Sequence, residues 1–251
     1  GIFEGLYDNK RLFDAYIDAC KYFGIVAWAW YRQPIFGVKK FDRKSGKYIY
    51  ELENVTYEDK VIEKNSRRIV TRTTMKTPEG ELWSETVYPI DNPPFPVRKF
   101  IKDFEKEFKF LKYFYPPLDY IDFDPVFKER ELIGDLGVNL VGVSPPSLVY
   151  LDIYVDGGLN SLGLIYYDYP DLIRKYKEMH ENWSIEFLKK VIDANCCDEI
   201  MTGGSGLLTW QSPKIIRDFS LDGLKQITKI CKENDLISHL HCCGFEYELV
   251  K

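Results

Sequence analysis

"SPKIIRDFSLDGLKQITKICKENDLISHLHCCG", residues 212–244, reads as a helix followed by a strand. Ser212 can accept a hydrogen bond from a first-turn amide, and Pro213 loses none at the first helical position. Ile215, Ile216, Phe219, Leu224, Ile227, Ile230 and Cys231 recur at helical spacing and define one buried side. "LISHLHCC" (236–243) then forms a short run that suits a buried strand, with Gly244 free to turn the backbone away.

The same alternation extends upstream. "GVNLVGV" (137–143) and "CDEIMTGG" (197–204) read as strands. Between them, "YPDLIRKYKEMHENWSIEFLKKVIDA" (169–194) is a long helix with Pro170 in its first turn and an apolar stripe from Leu172 to Val191. Strand, helix, strand, helix, strand implies a parallel sheet. Near the N-terminus, Leu12, Phe13, Tyr16, Ile17, Cys20 and Phe23 have helical spacing, with Asp8 or Asn9 to cap it and Gly24 to stop it. "IVAWAWY" (25–31) follows as another buried strand.

Residues 36–92 break this rhythm. Two β-rich runs flank "TPEG" (77–80), where Pro78 presets a turn and Gly80 can take positive φ. This stretch is expected to be an antiparallel hairpin excursion on the surface, without chemistry of its own. An amphipathic helix is expected from about 97 to 114. A closed (β/α)8 barrel needs eight strands in typically ~250 residues. Only 25–31, 137–143, 197–203 and 236–243 qualify as barrel strands. The expected fold class is therefore α/β: one TIM (β/α)8-type barrel domain over residues 1–251, incomplete, with the hairpin excursion inserted.

Composition narrows the function classes. Of 251 residues, 45% are hydrophobic, enough for a sizeable core. The net charge of −5 gives no basic face for nucleic acid. No run of ~18 apolar residues suggests a membrane span, and no secretion signal opens the chain, so a reduced cytoplasmic protein is expected. The first residue, Gly1, suggests a processed or excised piece. The 18 Tyr, 16 Phe and 5 Trp suit either a large core or a ligand pocket.

The reactive residues concentrate in the last strand. Period-two alternation puts His239, His241 and Cys243 on one face, and Leu240 and Cys242 on the other. Active sites of parallel α/β folds lie at the C-terminal strand ends, where His241 and Cys243 fall. Imidazole and thiolate suit zinc, although two ligands do not complete a site. His239 is expected one layer deeper, as a core residue or one supporting the ligands, and Cys242 against the helices. Gly203, Gly204, Ser205 and Trp210, in "MTGGSGLLTW" (201–210), together with Ser144 after the 137–143 strand, are weaker candidates for substrate binding. Asp198 and Glu199 are expected to be solvated, Cys196 and Cys197 structural, and His180 packed in or beside the long helix.

From about residue 69 onward the chain resembles the uroporphyrinogen decarboxylase superfamily. The resemblance rests on "TPEGEL" (77–82), "YPDLIRKYKE" (169–178), "SPKIIRDFSLDGLKQITKICKEN" (212–234) and "HLHCCG" (239–244). The last is similar to the His-x-Cys-Gly of the zinc-dependent methylcobamide:thiol methyltransferases of coenzyme M type, which are (β/α)8 barrels. The resemblance implies zinc on His241 and Cys243, with a further Cys ligand beyond Lys251. It also implies a thiol acceptor and a corrinoid methyl donor carried on a partner protein. A metal-independent decarboxylase of porphyrin biosynthesis, acting on a tetrapyrrole, stands second. The Arg-rich N-terminal motif and the tetrapyrrole-facing Asp of those enzymes are not recognisable here. A non-enzymatic corrinoid- or metal-binding protein is the third reading.

Overall fold

The computed structural model describes residues 12–31, 39–42, 47–50, 54–205, 211–243 and 247. The caps Asp8 and Asn9 lie outside them, as does Trp210. Helix α1 spans Leu12–Phe23, and Gly24 ends it at φ +64, where the Ile25 amide reaches back to the Cys20 carbonyl at 3.1 Å. Strand β1, Ala27–Tyr31, alternates strictly. Ala27 and Ala29 are buried with Ile17, Cys20 and Ile133, while Trp28 and Trp30 on the opposite face are exposed. The Trp28 amide donates to the Tyr16 hydroxyl at 2.7 Å, which occupies a backbone donor of this strand.

The expected single hairpin at 36–92 is larger. Strands β2 (Lys39–Asp42) and β3 (Lys47–Tyr50) form one antiparallel pair. Strands β4 (Thr56–Lys64), β5 (Arg68–Thr77), β6 (Gly80–Pro89) and β7 (Phe95–Arg98) form a separate four-stranded meander. The turn at "TPEG" forms as its residues suggest. Gly80 takes φ +128, and the Thr77 hydroxyl donates to the Gly80 carbonyl at 3.0 Å. Met75 and Leu82, paired across the turn, pack into an aromatic core with Phe104, Phe110, Phe114, Tyr154 and Tyr176. The meander is thus fastened to the α/β body by its inner face.

The amphipathic helix expected at 97–114 is corrected in extent and type. Residues 97–98 complete β7, helix α2 covers only Phe104–Glu107, and Phe108–Phe114 is a 3-10 helix. Asp103 caps α2 by accepting from the Lys106 amide at 3.2 Å, and Glu107 reaches back to the Lys102 and Asp103 amides at 2.6 and 2.9 Å.

The remainder is a helix–strand alternation. It comprises α3 (Asp124–Ile133), β8 (Gly137–Gly142), α4 (Leu148–Asp152), α5 (Gly158–Asp168), α6 (Pro170–Ala194), β9 (Glu199–Ser205), α7 (Pro213–Phe219), α8 (Leu221–Glu233) and β10 (Ile237–Cys243). Strands β1, β8, β9 and β10 pair in that order, all parallel. Val141 and Ile200 bury one sheet face against Phe187, Leu188 and Val191 of α6 and Ile227 and Cys231 of α8. A side chain the size of Phe187, fully buried, contributes roughly 1.5–3 kcal/mol of apolar transfer. Asn195 ends α6 in the left-handed region at φ 50, and its carbonyl accepts from Arg130 at 2.9 Å. The described residues thus form a mixed α/β structure with one parallel and two antiparallel sheets, and the described strands do not close into a barrel. Among the described residues, no helix is long and apolar enough to cross a membrane.

Candidate functional site

The parallel sheet brings the C-terminal ends of β8, β9 and β10 to one side of the molecule. On β10, His239, His241 and Cys243 pair in register with Met201, Gly203 and Ser205 of β9. His241 and Cys243 therefore share a strand face at its C-terminal end. His241 is half-buried. Cys243, Cys242, Gly204 and Ser205 are placed by backbone register alone.

His239 differs from its expected place. It is exposed, and its Nδ1 lies 3.2 Å from Glu199 Oε1 on β9. The reason is the sheet: among the described residues β10 pairs only with β9, so no further strand covers it. Asp198 and Glu199 are not solvated as expected. Asp198 pairs with Arg130 at 2.8 Å and accepts from the Asn139 amide at 2.9 Å, while Glu199, with its side chain 16% exposed, holds His239.

Ser144 and Gly203 are brought together by a residue the sequence did not single out, Tyr150. The Tyr150 hydroxyl donates to the Gly203 carbonyl at 3.2 Å. A carbonyl only accepts, so Tyr150 spends its one proton there. The Ser144 hydroxyl, in contact with the same phenol oxygen, is then the donor of that second bond. Ser147 starts α4 by accepting from the Tyr150 amide at 3.2 Å, which orients the phenol. A signal for Tyr150 existed in "SPPSLVY" (144–150): a cap residue followed three positions later by an aromatic bearing a hydroxyl.

Below this cluster lies His180, fully buried on α6. Its Nε2 is 3.0 Å from the Ser144 carbonyl, so Nε2 carries the proton and donates. Nδ1 is then an acceptor, and the Tyr115 hydroxyl donates to it at 2.9 Å. Burial pulls the imidazole down to about 4, against the opposing hydrogen bond to Ser144. Burial also pushes the hydroxyls of Tyr115, Tyr154 and Tyr176 well above the ordinary tyrosine value. This cluster is neutral at physiological pH and acts by hydrogen bonding.

Gly203 is held closely from both sides. Its φ is +87, and a Cβ there would meet the His241 carbonyl oxygen at 2.5 Å and Leu240 Cδ1 at 2.8 Å. The Gly-rich segment thus serves first as a close approach between β9 and β10.

Cys196 and Cys197 are buried at the opposite end of β9, as free thiols. The hydrogen bond that the Cys197 thiol donates to its neighbour Cys196, together with burial, holds Cys197 far up and draws Cys196 below the ordinary thiol value, while burial raises Cys231 to about 11. Cys197 and Cys231 are thus poor nucleophiles at neutral pH, and all three thiols are buried. At the same distant end, Lys225, Lys229 and Lys232 of α8 line an open groove of about 630 Å³ with Ile237 and Ser238, apart from the histidine and thiol chemistry.

The donor types on β10 fit zinc. Among the described residues, no group of three or more His, Cys, Asp or Glu side chains converges to complete a set. No protein-family model, curated protein or solved structure matches the chain.

Proposed function

We propose that the chain is a zinc-dependent methyltransferase acting in the cytoplasm. Its parallel sheet would belong to a (β/α)8 barrel of the uroporphyrinogen decarboxylase type. The observation that carries this reading is the i, i+2 placement of His241 and Cys243 at the C-terminal end of β10. That pairing offers one nitrogen and one sulfur ligand where parallel α/β folds bind substrates. Zinc, when bound, lowers the pKa of a coordinating thiol so that it is a thiolate at neutral pH.

His241 and Cys243 hold the metal in this reading, and a small thiol is the methyl acceptor. The methyl group comes from a corrinoid on a partner protein. The corrinoid would supply the methyl group to the thiolate sulfur and keep the electron pair of the broken carbon bond, and the thiol proton would leave to solvent. The Ser144–Tyr150 hydroxyl pair stands at the neighbouring strand ends, with hydrogen-bonding but no fixed charge.

Metal analysis of protein purified without chelator tests the proposal. About one zinc per chain is expected, falling at least roughly tenfold in occupancy for His241→Ala. A zinc-free protein, or a His241→Ala variant with undiminished zinc, sinks it.

A further inference from the structure

Strand β8 ends at Gly142, but β9 continues to Ser205. The Val143 amide still donates to the Met201 carbonyl at 2.9 Å. Two residues on, the parallel ladder calls for a donor to the Gly203 carbonyl. The residue at that step is Pro145, which has no N–H, and Pro146 follows it. The Tyr150 hydroxyl supplies the missing bond. It is steadied in turn by Ser144, whose own carbonyl is tied to the buried His180.

On its other side, Gly203 is in register with His241 and approaches it too closely to admit a Cβ. A displacement of the Gly203 peptide therefore cannot be absorbed locally; it moves His241. We infer that Tyr150 is a positioning residue for His241, acting as a surrogate ladder donor in place of Pro145. His180 and Ser144 fix it from behind. The function assigned to this positioning rests on the metal reading of His241 and Cys243, but the brace itself is a property of the metal-free fold.

The test uses the full chain and two variants, Tyr150→Phe and Ser144→Ala. Phenylalanine keeps the ring and removes the donor; alanine keeps the phenol and removes its steadying bond. Two measurements are made. Amide hydrogen exchange of the metal-free protein is followed over residues 199–205 and 237–243, with α6 as internal reference. Binding of cobalt(II), a visible probe for a tetrahedral zinc site, is titrated with its absorption spectrum recorded.

In Tyr150→Phe, exchange over both strand segments is expected to quicken roughly tenfold while α6 is unchanged. Cobalt affinity is expected to fall roughly ten- to hundredfold with an altered spectrum. Ser144→Ala should move both readouts the same way by less. Unchanged exchange in Tyr150→Phe overturns the positioning role whatever the metal does. Loosened strands with an unaltered cobalt affinity and spectrum overturn its link to the site. If the parent protein binds no cobalt, the metal reading fails, and the exchange arm alone decides the brace.

Discussion

His180 sits where an ionised imidazole has no water to solvate it, and its two ring nitrogens are already committed to Ser144 and Tyr115. Its folded-state value near 4 lies below the ordinary 6.5, so the unfolded chain binds the extra proton. The resulting stabilisation is present in full above about pH 6.5 and is lost as pH falls from there towards 4. Over that span it amounts to about 3 kcal/mol. Urea unfolding at pH 7 and pH 4.5 should therefore show a large loss in the parent protein. His180→Gln, which can donate and accept but not titrate, should show a flatter difference; an equal loss in both would remove His180 from the account. The sequence marked His180 as packed because of its place beside an apolar stripe. It could not mark the partners, since Tyr115 and Ser144 are 65 and 36 residues away. Tyr150 escaped for a similar reason: the Gly203 carbonyl that its hydroxyl reaches lies 53 residues away on β9.

At the scale of elements, the best-read features were those with a local cause. The strands at 25–31, 137–143, 197–203 and 236–243 and the long helix all reappear, within two residues, as β1, β8, β9, β10 and α6. Where tertiary contacts decide, reading failed. The helix expected over 97–114 has the right apolar spacing, but Phe95–Arg98 finds β6 to pair with, and the rest tightens into a 3-10 helix against the aromatic core. The helix expected from Ser212 onward divides at Ser220, whose hydroxyl donates to the Pro146 carbonyl at 2.6 Å. Helices α3, α4 and α5 were not anticipated; α4 is short and α5 begins at a left-handed Gly157. The joint between β1 and β8 offers a sharp test. A Cβ on Gly137 would lie 1.8 Å from the Ala27 carbonyl oxygen. Gly137→Ala is expected to cost about 3 kcal/mol or more in urea unfolding. Gly163→Ala in α5, where nothing lies within 4 Å, should be neutral or stabilise by up to about 1 kcal/mol. Similar behaviour of the two variants would show that β1 does not dock on β8 this way.

For the molecule as a whole, the candidate site was legible only as far as one strand reveals it. Alternation alone placed His241 and Cys243 together, because that rule needs nothing beyond the strand itself. The exposure of His239 and the pairing of Asp198 with Arg130 depend on which strand lies beside which, and no local pattern encodes that.

The insertion of β2 to β7 between two adjacent strands of the parallel sheet also governs the order of assembly. Ala27 finds its partner Gly137 only after about 110 intervening residues, whereas β5 and β6 meet across the two-residue turn at Pro78 and Glu79. Closing the longer loop costs conformational entropy before any sheet contact rewards it, and such pairings slow folding. In pulse-labelled refolding, amides of β5 and β6 should gain protection before those of β1. Simultaneous protection would mean that the meander cannot stand without the body it packs on. If β5 and β6 lead, the protein is born as an antiparallel platform, with β1 joining β8 last.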